Sequence, residues 1–273
     1  MTGSGDKQTD MPPGPLVVNA PQMRELLTFL REICQRLVEC GCSSNRVELL
    51  AQTLGASWGF EVESVAIPTG VWISIRKDGQ NLVDLTRVRN WSIDLNRLAN
   101  INVLVESIYE HRISIDEATR RLAEESRSPP PYSMLLTLIA GGGTCPALIY
   151  VYGGKPIEVA LAFPVGILVQ YLQKYVFVGE NRVYLGDCLS AAAVALCACF
   201  AHQVFPSLDV PLFIVGGIVA LVPGLVLVNA VHEVAQKNLV SGAAKLLEAL
   251  MITASLGCGV VFVLGLWLIL GGH

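Results

Sequence analysis

The stretch SRSPPPYSMLLTLIAGGGTCPALIYVY, residues 126–152, decides the fold. Three consecutive prolines remove backbone donors and fix φ, so no helix continues through Pro129, Pro130 and Pro131. Residues 127–132 therefore form a stiff Pro-rich linker. Directly after it, residues 133–152 carry no charge, and about 20 such residues are enough to cross the hydrocarbon core of a bilayer. Four more apolar segments follow, 159–178, 188–205, 210–231 and 249–270. The second contains one charge, Lys174, near enough to its end to snorkel. Residues 133–273 are thus expected to be a transmembrane domain of about five helices.

On the other side of the prolines the chain has a different character. Fourteen of the 19 Lys and Arg, and 17 of the 23 Asp and Glu, lie before residue 131. Leu26, Leu27, Leu30, Ile33, Leu37 and Val38 recur at helical spacing, which predicts an amphipathic helix ending near Gly41. A second helix is expected from the Ser43-Ser44-Asn45 cap to Gly55. FEVESVAI, VWISIRK and NLVDLTRV then read as three short strands, separated by Pro68-Thr69-Gly70 and by Asp78-Gly79, a tight-turn pair. A helix from Asp94 to Tyr109 follows, and Ser114-Ile115-Asp116-Glu117 is a capping box that opens another running through Glu125. The expectation is a soluble, cytoplasmic α+β domain over residues 22–126. Residues 1–21, rich in Gly, Pro, Asp and Thr, read as a disordered tail with no signal-peptide core.

Composition agrees with this division. The chain is 52% hydrophobic and 15% charged, with a mean hydropathy of +0.53, more apolar material than one soluble core of this length needs. A net charge of -4 offers no basic surface for nucleic acid. Of eight Cys, three lie in the polar half and five in apolar runs. None forms paired CxxC arms, so neither a zinc site nor any other metal is expected, and free thiols are. No glycine-rich nucleotide loop, HExxH or GxSxG is present, so the sequence predicts neither an enzyme nor a cofactor.

Lys and Arg in short loops mark the cytoplasmic side. Arg120, Arg121 and Arg127 precede the first span, Lys174 and Arg182 flank the loop after the second, and Lys237 and Lys245 follow the fourth. Every second loop is the basic one. This predicts a multi-pass protein with a cytoplasmic N-terminus.

Within the apolar half, the run from Gly216 to Leu250 carries most of the candidate residues. Pro223 and Gly224 sit mid-span, either as an ordinary kink or as a helix break of the kind that holds transported solutes. Asn229, His232 and Glu233 follow on the same span, and His232 is a group able to relay protons near neutral pH. Asp187 and His202 are ionisable groups at or inside the third span, where leaving charge in lipid is costly. Asp187 lies at its entrance and reads equally as a solvated interfacial carboxylate. Pro223, Gly224, Asn229, His232, Glu233 and Asp187 form the candidate pathway, with Arg182 or Lys237 drawing an anion to the inner mouth. In the polar half, Ser44, Arg46, Glu48, Pro68, Thr69 and Arg87 stand out as a polar motif.

These motifs, GCSSNRVE (residues 41–48), Pro68-Thr69, Arg87-Val88 and LVPGLVLVNAVHEV followed by Gly242, resemble in order and spacing the threonine/serine exporter family. The likeness is to its shorter, YjjP-like subunit type and runs from about Met23 onward, with a departure at Cys42. The resemblance implies a cytoplasmic N-terminal domain on about five spans of the bacterial inner membrane, and a second small membrane subunit of the YjjB type in a hetero-oligomer. It also implies export of threonine and serine, or of succinate in the two-subunit form, driven by ion gradients. The expected function is therefore that of a secondary-exporter subunit for a small carboxylate or amino acid. A membrane-tethered enzyme and a solute-sensing regulator are the alternatives.

Overall fold

The computed structural model describes residues 20–89, 92–111, 113–127, 132–177 and 183–270. The chain divides into two units between Arg127 and Ser128. The Pro129–Pro131 run of the expected linker and most of the expected tail lie outside the described residues.

In the first unit, α1 (Ala20–Glu39) buries Met23, Leu26, Leu30, Ile33 and Leu37, the stripe its helical period predicts. It starts at Ala20, so the last two residues of the expected tail are helical. Pro21 is accepted there because a first-turn N–H has no helical partner to lose. The helix closes with Gly41 at φ +82°. Cys42 N–H bonds back to the Leu37 carbonyl at 3.0 Å and Gly41 N–H to Val38 at 2.9 Å, a Schellman ending. Helix α2 (Ser44–Ser57) runs two residues past its expected stop at Gly55. That glycine serves packing rather than termination, since a Cβ there would lie 2.1 Å from Val62 Cγ2.

Strands β1 (Glu61–Ile67), β2 (Gly70–Lys77) and β3 (Gln80–Arg87) form an antiparallel meander in the order β1-β2-β3. Asp78 and Gly79, at φ +47° and +78°, make the left-handed two-residue turn that matches strand twist. Val62, Ala66, Val71, Ile73 and Ile75 are buried in one core with α1 and α2. Helices α3 (Leu95–His111) and α4 (Ile115–Arg127) complete the unit. Ser114 Oγ accepts from Glu117 N–H at 3.3 Å, while the Glu117 carboxylate turns forward to Arg121 and Arg120 at 2.7 and 2.5 Å, completing only half of the expected box. Burial pushes the Cys34 thiol up to about 12 and that of Cys40 to about 11, so both behave as small apolar residues near neutral pH.

The second unit is built of α5 (Met134–Gly142), α6 (Thr144–Val151), α7 (Pro156–Tyr171), α8 (Val183–Val204), α9 (Val210–Ile218), α10 (Gly224–Ala235) and α11 (Leu239–Ile269). Among the described residues four helical stretches are long and apolar enough to cross a membrane, and α9 with α10 makes a bent pair that raises the number to five if it counts as a span. The expected span over 210–231 is this bent pair, and of the two readings of Pro223 and Gly224 it takes the helix break. The last helix also starts ten residues before its expected boundary at 249. At about 1.5 Å per residue its 31 residues exceed the ~30 Å hydrocarbon core, and the surplus end carries Lys245 and Glu248. Lys245 is thus inside a helix and buried, not in a basic loop.

Large apolar side chains point outward, as Phe262 and Leu268 do at 70% exposure each, whereas small residues fill the contacts between helices. The tightest approach joins α8 to α11. A Cβ on Gly259 would lie 2.1 Å from the Cys188 carbonyl oxygen and 3.1 Å from Ala192 N. Both neighbours are backbone and neither can rotate away. Gly259→Ala is therefore expected to lower stability by about 1–3 kcal/mol through overpacking. Gly257→Ala, where a Cβ meets nothing within 4 Å, should leave it unchanged. Thermal unfolding of the two variants in detergent checks the contrast, and equal midpoints would refute it.

Candidate functional site

The break between α9 and α10 follows from local chemistry. Asp209 opens α9 by accepting from Leu212 N–H at 3.0 Å, and after Ile218 the helix tightens into a 3-10 turn over Val219–Leu221. Pro223 lacks the donor that would continue it, and its ring pushes the preceding residue into extended backbone. Val222 has ψ 126°. Helix α10 restarts at Gly224, and the two axes differ by 61°. Pro223 caps α10 without a side-chain hydrogen bond, so the first-turn N–H groups, which carry the positive end of the helix dipole, open into the break. Gly224 is exposed, with room around its missing Cβ. A helix end of this kind offers backbone donors to a carboxylate.

Asn229, His232, Glu233 and Gln236 recur along one side of α10 at helical spacing. The structure separates their circumstances. Asn229 is half-buried and His232 exposed, with His232 Nε2 and Gln236 Nε2 2.9 Å apart. Glu233 is fully buried, where its Oε1 accepts from Lys245 Nζ of α11 at 2.6 Å. The turn from α10 to α11 passes through Lys237 at φ +66°, and Gly242 lets the two helices close on each other, a Cβ there lying 2.5 Å from Val234 Cγ2. The ion pair thus locks the α10–α11 hairpin at the end of α10 opposite the break. Buried in the same turn, the Asn238 Nδ2 has no hydrogen-bond partner among the described residues.

Asp187, at the start of the third span, is 6% exposed, so of its two readings the solvated one does not describe it. Its Oδ1 accepts from Gln173 Nε2 at 2.9 Å, and the same amide reaches Ser190 Oγ at 3.3 Å. Gln173 belongs to a π-helical turn, Leu172–Val176, that extends α7. Such wide turns are rare and frequent at functional sites. Here the turn presents an amide to the only acid of α8. Tyr184 lies within electrostatic range of both Asp187 and Glu248. No hydrogen bond joins Asp187 to the α10 stripe among the described residues, so the candidate pathway residues fall into two groups.

At the opposite end of α7 a second buried acid ties two loops together. Glu158, 1% exposed, accepts from Lys155 N–H at 2.7 Å and from Asp209 N–H at 2.8 Å, and Lys155 Nζ donates to the Ser207 carbonyl. His202 also serves this end, with Nδ1 3.0 Å from the Leu208 carbonyl. The loops after α6 and after α8 therefore lie on one side of the unit. Lys237 is exposed, and Arg182 lies outside the described residues.

The polar motif of the first unit divides likewise. Ser44 is buried at the start of α2, and Glu48 Oε1 accepts from Ala66 N–H at 2.8 Å on edge strand β1. Pro68 and Thr69 form the β1–β2 turn, with the Thr69 carbonyl accepting from Val88 N–H at 3.0 Å, and Arg87 is exposed at the end of β3. Arg46 donates to Asn102 Oδ1 at 3.0 Å. Among the described residues no three His, Cys, Asp or Glu side chains cluster so as to hold a metal ion. Sequence reasoning passed over Lys245 as a site residue, and Gln173, Ser190 and Glu158 altogether. Only Glu158 had a local signal, the Lys-Pro-Ile-Glu pattern of a capped helix start.

Residues 28–267 match the ThrE family of threonine/serine exporters. Among curated proteins, an uncharacterized protein of Schizosaccharomyces pombe is 22% identical over 90% of this chain and 30% of its own length. Pheromone-regulated membrane protein 10 of Pichia sorbitophila is 21% identical over 90% of this chain and 25% of its own. A protein of Mycobacterium tuberculosis named probable threonine/serine exporter is 22% identical over 87% and 45%. The chain thus spans less than half the length of these relatives. No solved structure matches it. With the family match covering most of both units, the chain belongs to the threonine/serine exporter family.

Proposed function

We propose that this chain is a subunit of a secondary exporter that moves threonine and serine out of the cytoplasm across the bacterial inner membrane, coupled to an ion gradient. The observation that carries the reading is the 61° break at Pro223 inside an apolar helical unit. Unsatisfied backbone groups at membrane depth are stable only where they line a cavity or meet a solute. In this reading the first turn of α10 receives the solute carboxylate, and Asn229 lines the route. Asp187, a buried acid set in a span by Gln173, is the group whose charge state couples to the ion. The basic residues before α5 support a cytoplasmic side for the first unit. A second small membrane subunit completes the wall of the pathway.

The test is efflux of labelled threonine, serine and succinate from cells expressing the chain, with and without a candidate second subunit. Accelerated loss of threonine and serine, dependent on the partner and abolished by collapsing the ion gradient, is the expected result. Accelerated loss of succinate alone would reassign the substrate, and unchanged efflux of all three would reject the exporter reading.

A further inference from the structure

Helices α2 and α3 present matching faces to each other. On α2 the face is Arg46, Leu49, Leu50 and Thr53, and on α3 it is Asn102, Val105, Glu106 and Tyr109, both at the i, i+3, i+4, i+7 spacing of one helical side. Arg46 bonds to Asn102 at 3.0 Å, and seven residues further along each helix the Tyr109 phenol lies beside the Thr53 hydroxyl. The two helices therefore run parallel, with polar crossbars about 10 Å apart, the length of two turns. Between the crossbars, Leu50 and Val105, 9% and 8% exposed, floor a groove of about 330 Å³, a size typical of small-molecule sites.

The groups on its rim are of opposite kinds. Arg46 supplies a guanidinium, suited to a carboxylate, and its only side-chain partner among the described residues is a neutral amide. Glu106, one turn beyond Asn102, is exposed and in no ion pair among the described residues. Burial raises the Tyr109 phenol, which keeps it a proton donor, and the Thr53 hydroxyl beside it, which donates to its own helix at Leu49, can accept from that phenol or from a ligand hydroxyl. A carboxylate, an ammonium and a hydroxyl each find a complement here, over a small apolar floor. A dicarboxylate would instead set one of its charges against Glu106.

We propose that this groove binds a small zwitterionic amino acid with a hydroxylated side chain, separately from the membrane pathway, with Arg46 holding the carboxylate and Glu106 the ammonium. The proposal rests on the exporter reading for its choice of ligand: the exported solute is also the one this unit detects.

The full chain, labelled with 3-fluorotyrosine and held in lipid nanodiscs, is titrated with L-serine, L-threonine and succinate. The Tyr109 fluorine resonance is assigned by its loss in Tyr109→Phe. The expected result is a saturable shift of that resonance with serine and threonine and none with succinate. Arg46→Ala should weaken the apparent affinity about tenfold or more, the loss of a charge-assisted contact. Glu106→Gln should weaken it too and narrow the discrimination against succinate. A parallel 5-fluorotryptophan label with unchanged Trp58 and Trp72 signals, both in the first unit, would show both variants folded. A Tyr109 resonance that neither amino acid moves, or that moves equally in Arg46→Ala, overturns the proposal. Cellular efflux measured in parallel separates it from the exporter reading. Efflux without a Tyr109 shift rejects the groove alone, whereas a shift without efflux supports the groove and rejects the exporter.

Discussion

Replacing Lys245 by methionine is expected to destabilise the membrane-spanning unit by about 3–5 kcal/mol, the cost of breaking a buried ion pair from one side. The side chains of Lys245 and Glu233 are 5% and 0% exposed, with 2.6 Å between Nζ and Oε1. Methionine has nearly the length of lysine and fits the same apolar stem, so the change is chiefly electrical: the Glu233 carboxylate loses its ammonium while staying where water cannot replace it. The pair joins α10 to α11 across the turn at Lys237, so its loss should loosen the hairpin and reduce transport along with stability. Glu233→Gln in the Lys245→Met background removes the stranded charge. It should recover most of the stability, since neutral substitutes for buried pairs are often tolerated. Thermal unfolding of wild type, single and double variants checks this. A single variant as stable as wild type would mean that the carboxylate is solvated or neutralised otherwise, and would remove the pair from the account of the fold.

This pair also shows where sequence reading stops. The period of the α1 face, the Asp78-Gly79 turn and the long apolar runs are local signals, and each became the element they predict. Pro223 likewise announced an interruption of its span. The meeting of Glu233 and Lys245 depends instead on a sharp turn and on Gly242 admitting close approach, neither of which charge spacing reveals. Lys245 therefore read as a loop cation. Gln173 is a similar case: it meets Asp187 only because a π-turn rotates the end of α7, and a π-turn leaves no mark on hydrophobic period. Gly55 misled in the other direction, because a glycine spent on close packing against Val62 looks, in sequence, like a helix stop. Local order was legible, then, while the pairs that hold polar groups inside the bundle were set by tertiary approach.

Asp187→Asn is expected to abolish gradient-driven efflux, a loss of about a hundredfold or more, from the lower end upward of the range for removing a group that transfers protons, while leaving the protein in the membrane at normal levels. The amide preserves the size of the side chain and its acceptor oxygen for Gln173 Nε2, now 2.9 Å away, and gives up only the ability to change charge. Packing between α7 and α8 should survive, since buried residues of both helices, Val165 and Val169 with Val194 and Ala198, share one apolar core that does not depend on the carboxylate. Pro223→Ala serves as the comparison, because it acts on the other group of candidate residues. Restoring a backbone donor there allows α9 and α10 to straighten toward one helix and closes the break, so efflux should fall for a reason independent of the ion. The two variants then separate by exchange. A coupled exporter that has lost only its ion-linked charge still trades labelled solute for unlabelled solute across the membrane, whereas one that has lost its solute site does not. Exchange retained in Asp187→Asn and lost in Pro223→Ala would assign coupling to the α7–α8 group and solute binding to the break. Net efflux unaffected by Asp187→Asn would show that its burial beside Gln173 is structural, and ion coupling would then have to reside on another group of the unit.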